Sequence, residues 1–339
     1  MAYDDDNDPC AYQQSLHLGG YLGRLLAMKP LRSTFLMLIL APVLLTAQDR
    51  GTYSFIRNDI GARAAGVNGS FVSMTDDPNT LFYNPGSLPT LTHSRASVGF
   101  LKHLIDVNGG YLSYSRSVEG VGTVGGGIIY LDYGSFTETD ESMNILGEFG
   151  ARDLAFVIGA GRSIDDVTSV GVNVKFLYSS IAEYSSSALA VDAGVLYQIP
   201  AENITIGASV LTAGLQLKTF NGVKESLPLD VKIGITKRPE HLPVLLNLNF
   251  HRLADRYGSF LDRLSSFSVG AEFLMSESVR LRAGYNNQQR KDLKMGTSAG
   301  LAGISLGGGI LFKEYVLDYS FNSYGKIGSL HRISLGMGF

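Results

Sequence analysis

The stretch FSVGAEFLMSESVRLRAGYN, residues 267–286, decides the fold. In its second half Val279, Leu281, Ala283 and Tyr285 alternate with Arg280, Arg282, Gly284 and Asn286. A period of two places these sets on opposite faces of an extended strand. Residues 266–275 read as the strand before it and Ser276–Ser278 as the turn between them. That turn sets the register and brings Glu272 opposite Arg282 on the face that also carries Arg280. A slip of one residue would turn both arginines to the other face. If that face meets lipid, the slip costs about 2–4 kcal/mol per arginine near the bilayer midplane. Glu272, Arg280 and Arg282 are therefore read as lumen-side charges of a barrel wall.

Working outward, the same alternation recurs. In Val172–Tyr178, Val172, Val174, Phe176 and Tyr178 oppose Asn173 and Lys175; in Val244–His251, four apolar residues oppose Leu245, Asn247, Asn249 and His251. Fourteen such runs are legible between residues 94 and 339, near 94–101, 108–117, 122–133, 153–163, 168–179, 187–199, 204–215, 229–237, 243–251, 266–275, 279–288, 299–312, 315–323 and 330–339. An even number of strands is what single-chain bacterial outer-membrane barrels have. The connections sort as well. Those after even strands are tight (Val118–Val121, Ile164–Val167, Lys313–Glu314), and those after odd strands are mostly long (Gly134–Arg152, Gln216–Pro228, Arg252–Ser265). Short periplasmic turns and long outer loops are the pattern of these barrels, with both barrel ends periplasmic. The fold class expected is all-β: a transmembrane antiparallel β-barrel of fourteen strands with an N-terminal plug segment. The final aromatic, Phe339, suits its terminal strand.

The composition agrees. Of 339 residues 45% are hydrophobic and 17% charged, with 40 glycines and no tryptophan. A net charge of −3 offers no general attraction for nucleic acid. Met28–Arg32 is basic, Phe35–Leu45 apolar, and Thr46-Ala47-Gln48 small to polar, the order of a secretory signal peptide. The expected organisation is an upstream extension from a mis-called start at 1–27, a signal peptide at 28–47 cleaved after Ala47, an N-terminal plug or periplasmic segment at 48–93, and the barrel at 94–339. The single cysteine, Cys10, falls in the removed part, so the mature chain offers no disulfide and no thiolate. Residues 48–93 carry too many small and turn-forming residues for long strands. They are expected to enter the barrel or cover its periplasmic mouth, with a free periplasmic tail as the alternative.

GARAAGVNGSFVSMTDDPNTLFYNPGSL (Gly61–Leu88) resembles the N-terminal signature of the PorV/PorQ family, relatives of FadL-type fatty-acid channels; its Gly61, Arg63, Gly66, Asp76, Asp77, Asn84 and Pro85 carry the match. YLDYGSFTETDE (Tyr130–Glu141), GEFGARDLAF (Gly147–Phe156) and RLRAGYNNQQRKDLKMGTSAGLAGISLGGGI (Arg280–Ile310) resemble the PorQ-type members more closely than the PorV type. The resemblance implies a fourteen-stranded barrel in the bacterial outer membrane, serving the type IX secretion system. There it would dock a surface component of the cargo-attachment complex. The implied partners are a sortase-like protease, a PorV-like barrel and a PorZ-like surface protein, besides outer-membrane lipid and lipopolysaccharide. One departure stands out: the FadL-type relatives carry Asn-Pro-Ala where this chain has Asn84-Pro85-Gly86, and the glycine is expected to loosen that turn.

Chemistry is sparse. His17, His93, His103, His241, His251 and His331 are scattered, with no metal-ligand spacing. An outer-membrane lipase would need a Ser–His pair with an orienting group on the lipid-facing wall, and His251 points inward. Gly122–Gly127 and Gly307–Gly309 lie inside predicted strands rather than before a helix, so neither is a phosphate loop. No enzyme activity and no cofactor are expected. Leu253, Tyr257, Phe260 and Leu261 fall at helix-like spacing in an outer loop and form the candidate partner-binding surface. The alternative function is a FadL-like channel for hydrophobic small molecules, which requires an apolar space between plug and wall.

Overall fold

The computed structural model describes residues 51–102, 107–255, 260–294 and 300–339. The expected extension at 1–27, the signal peptide at 28–47 and Tyr257 lie outside the described residues.

Fourteen antiparallel strands close into a barrel in sequence order, with β1 pairing β14. They are β1 Arg95–Lys102, β2 Asn108–Val118, β3 Gly122–Thr139, β4 Ile145–Ser163, β5 Thr168–Ile181, β6 Tyr184–Ile199, β7 Ile204–Lys218, β8 Asp230–Lys237, β9 Val244–Phe250, β10 Phe267–Leu274, β11 Val279–Asn286, β12 Ile304–Phe312, β13 Tyr315–Ser323 and β14 Ser329–Gly338. Closure leaves no unpaired edge, as a wall in hydrocarbon requires.

The alternation read from the sequence becomes two surfaces. Leu335, Val98, Leu112, Ile128, Phe156, Phe176 and Leu189 are successive cross-strand partners from β14 through β1 to β6. All seven are exposed. A continuous exposed apolar row has no place in water, and hydrocarbon covers it. One residue along, Ser97, Ser113 and Gly127 face inward, where small side chains leave room for other chain. Above the apolar band runs a row of different chemistry: Phe321, His331, Lys102, Asn108, Asp132, Arg152 and Ser180 are successive partners from β13 to β5. It marks the level at which the wall leaves hydrocarbon on the rim that carries the connections after odd strands.

On that rim the structure corrects the loop reading. Gly134–Arg152 is mostly strand: β3 runs on to Thr139 and β4 begins at Ile145, with a register shift between Asp132 and Ser135 where Gly134 takes φ 80°. The connection between β5 and β6 shrinks to Ala182–Glu183. The wall therefore stands tall over β3–β7 and low over β8–β12.

Residues 51–91 lie inside this wall. Thr52 N–H donates to Glu225 at 2.8 Å and Arg57 pairs with Asp255 at 2.8 Å, both on the odd-connection rim. Asp76 pairs with Arg95, the first residue of β1, at 2.7 Å on the opposite rim. The segment thus crosses the lumen from one rim to the other. It does so in short turns: a helix at Ala62–Gly66 and 3-10 turns at Ser54–Arg57, Pro78–Phe82 and Pro85–Thr90. Asp77 caps the second of these by accepting from Asn79 N–H at 2.8 Å, and Asn84 caps the third by accepting from Gly86 N–H at 3.0 Å.

Candidate functional site in the lumen

The lumen has two unlike halves. On one side the inward residues include Ile129 and Leu131 of β3, Ala155 and Val157 of β4, Leu177 of β5, and Ala188 and Ala190 of β6, all buried in one cluster, beside the buried Lys175–Asp192 pair at 2.9 Å. What buries them is the inner segment itself, through Tyr53, Phe55, Ile60, Phe71, Leu81 and Phe82. On the other side the inward residues include Lys232, Asn247, Glu272, Arg282, Asp318 and Arg332. The alternating pattern had shown charges on both sides, Lys175 of β5 as well as Lys232, Arg282 and Arg332; the apolar cluster went unread.

The two halves meet at Arg63. Its guanidinium donates two hydrogen bonds of 3.0 Å to the two oxygens of Glu272 and lies 3.4 Å from Asp77. Glu272 also accepts from Arg282 Nε at 2.6 Å, with Arg280 further out at 3.6 Å, and Arg282 reaches Asp318 at 2.6 Å. Three arginines face three carboxylates, so the cluster is neutral as a whole, and every member but Arg280 is buried. Burial alone would depress the Arg63 guanidinium, yet Glu272 and Asp77 hold it above its ordinary value. The register deduced from the Ser276–Ser278 turn is the observed one, with Glu272 opposite Arg282.

The other signature residues fasten the segment. Gly61 (φ 85°) opens the helix at Ala62–Gly66. Gly66 packs against Arg282 and Gly307, and Asp76 (φ 59°) makes the turn to Arg95. Asn84 donates to Val72 C=O at 2.8 Å and Val195 C=O at 3.0 Å. Pro85 lies against Gly171 of β5. Gly86 does not loosen the turn as expected: a Cβ there would lie 2.8 Å from the Gly194 backbone of β6, so the glycine permits a tighter approach to the wall.

Several cavities remain. One, about 260 Å³, sits under the low part of the rim and is lined by Arg57, Asp59, Asp230, Lys232, His251 and Arg252 among others. Burial raises the Asp59 carboxyl, against the pull of Arg332 and Lys232. A second, about 180 Å³, lies at the opposite mouth beside Arg63, Asp77, Arg280, Arg282 and Asp318. The space between segment and apolar wall, near Phe55, Ile60, Leu101, Ile129 and Leu131, is only about 20 Å³, room for a single water. The apolar path is thus closed by the segment. Among the described residues no group of His, Cys, Asp and Glu could hold a metal.

The expected partner surface is divided. Leu253 turns inward and packs with Val231 and Ala254, while Leu261 is exposed on the short helix Phe260–Leu264. These two do not share a face.

No family model and no curated protein matches the chain. Solved structures do. The toluene transporter TodX of P. putida aligns with TM-score 0.56 at 14% identity, covering 83% of this chain and 98% of its own. The monoaromatic hydrocarbon channel CymD gives 0.56 at 14%, covering 83% and 97%. A Pseudomonas aeruginosa FadL homologue gives 0.53 at 8%, covering 83% and 98%. The chain has the fold of these outer-membrane barrels. Its closed fourteen-stranded wall and apolar belt suit an outer membrane, and TodX and CymD are by name a transporter and a channel.

Proposed function

We propose that the chain is an outer-membrane channel for hydrophobic small molecules, closed by its own N-terminal segment in the conformation described. One observation carries this: Ile129, Leu131, Ala155, Val157, Leu177, Ala188 and Ala190 form an inward apolar strip on β3–β6, covered by the segment's Tyr53, Phe55, Ile60 and their neighbours together with Leu227. Withdrawal of residues 51–60 would uncover an apolar path beginning at the outer rim, while the Arg63 cluster keeps the rest of the segment in place. The hydrocarbon passengers of TodX and CymD, on the same fold, support the reading. Uptake of a labelled monoaromatic hydrocarbon and of a long-chain fatty acid, compared between a deletion strain and its parent, tests it. Slower uptake of either compound in the deletion strain is expected; equal uptake of both overturns the reading.

A second reading has its own observation. The β3–β4 hairpin rises beyond the polar row and exposes Phe136, Met143, Ile145 and Leu146 where no hydrocarbon covers them. Together with the PorQ-like stretches, this supports docking of a surface component of a type IX cargo-attachment complex. Affinity capture from outer membranes should then recover a surface protein that is lost when residues 140–146 are replaced by a Gly/Ser link. Undiminished recovery removes the hairpin from consideration.

A further inference from the structure

The outer wall carries a cluster that the sequence kept apart. His331 of β14 stands on the lipid-facing surface at the level of the polar row. Its Nε2 lies 3.1 Å from Ser329 Oγ on the same strand, and its Nδ1 lies 2.7 Å from Tyr319 Oη on β13. Ser329 and His331 share a face because they are two residues apart on one strand. Tyr319 is a diagonal cross-strand neighbour, since Phe321 is the direct partner of His331 and Tyr319 that of Ile333. The Phe321 ring meets the imidazole edge to face at 5.5 Å and so restricts its rotation. Lys102 of β1 is the direct partner of His331 on its other side.

This is the order of groups an acyl-transfer site needs: a hydroxyl, a base within hydrogen-bond reach, and a third group that orients the base. We propose that Ser329, His331 and Tyr319 form a surface esterase site whose substrate is a carboxylic ester of an amphipathic lipid lying against the barrel. With Nδ1–H donating to the Tyr319 oxygen, the Nε2 lone pair faces the serine. Ser329 Oγ adds to the ester carbonyl carbon as its proton passes to Nε2. The tetrahedral intermediate collapses, the C–O bond to the alcohol breaks, and the alcohol leaves with that proton. Water then adds to the acyl-serine, giving a proton to Nε2, and the fatty acid departs as Oγ is reprotonated. Lys102, directly opposite His331 on the same face, supplies a cation on this surface to balance the developing oxyanion. Ser329 and His331 are the catalytic residues, and Tyr319 is a positioning residue. The ester bond of a membrane lipid lies just below the headgroups, the depth at which this cluster meets the membrane. The inference does not depend on what passes through the lumen.

The full barrel, purified in detergent micelles, is incubated with a long-chain alkyl fluorophosphonate and the adduct is mapped by mass spectrometry. The expected result is a single adduct on Ser329, absent in Ser329→Ala. It should form about a hundredfold more slowly in His331→Gln, the scale of a general base. Tyr319→Phe should slow labelling, because the imidazole loses the partner that orients it at Nδ1, and Tyr319→Gln, which keeps an acceptor oxygen, should restore part of the rate. Circular dichroism verifies that each variant is a folded barrel. A folded wild-type protein that forms no Ser329 adduct, or labelling that is indifferent to His331→Gln, overturns the proposal.

Discussion

Arg63 of the inner segment and Glu272 of β10 are joined by two parallel charge-assisted hydrogen bonds, each 3.0 Å long, with both side chains buried. Such a fork fixes angle as well as distance. It sets the height at which the whole segment stands in the lumen.

Removing that fork should therefore cost more than a surface pair would. Arg63→Ala leaves Glu272 and Asp77 buried with fewer partners, a loss on the order of 3 kcal/mol. Denaturant unfolding of the barrel in micelles measures it, and proteolysis between residues 51 and 91 should quicken. Stability unchanged from wild type would show that the cluster does not hold the segment.

Gly86→Ala tests the reversed reading of the Asn-Pro-Gly turn. The added methyl meets the Gly194 backbone at 2.8 Å, and neither partner is a flexible side chain. Overpacking of this kind costs about 1–3 kcal/mol. A lowered unfolding midpoint is expected. A raised one would mean that the turn was loose after all.

The wall makes a separate prediction. Leu112 sits in the middle of the exposed apolar row, and Leu112→Arg should destabilise the barrel in bilayers by about 2–4 kcal/mol. Asn108→Arg, four residues away on the same face and in the polar row, should cost far less. Equal costs at the two positions would misplace the membrane boundary.

The path of the segment can be read by labelling. Ser54 is exposed near the odd-connection rim, and Glu119 lies in the tight turn after β2 on the other. In intact cells, Ser54→Cys should react with a membrane-impermeant maleimide and Glu119→Cys should not, against a wild-type blank that accounts for Cys10. The opposite pattern would invert the barrel.

Much of the wall was legible because lipid on one face and packed chain on the other impose strict alternation, and a short turn then fixes register. Glu272 opposite Arg282 is the clearest instance. Legibility failed where that two-sided constraint ends. Thr137, Glu138 and Thr139 are exposed, so nothing forces a period of two there, and strand was mistaken for loop. The apolar strip of β3–β6 escaped because Ala188, Ala190 and Leu177 alternate with residues just as apolar. The Ser329–His331–Tyr319 cluster needs the offset of β13 against β14, a relation no local pattern records. A Ser-x-His on a predicted strand was the one signal available.

The inner segment touches nearly the whole circumference: Ser334 of β14, Asn322 of β13, Ser305 of β12, Glu272 of β10, Ser209 of β7 and Ser169 of β5 all bond to it. The barrel closes along the ladder between its first and last strands, from Arg95 opposite Gly338 to Lys102 opposite His331. A chain bonded to so many strands could enter the closed wall only by forming all of these contacts one by one from a mouth. Assembly must then run in one order: the segment is in place first, the strands gather on it as on a mandrel, and the last ladder seals it in. Substitutions on the segment should accordingly appear in the yield and speed of insertion before they appear in anything the finished barrel does.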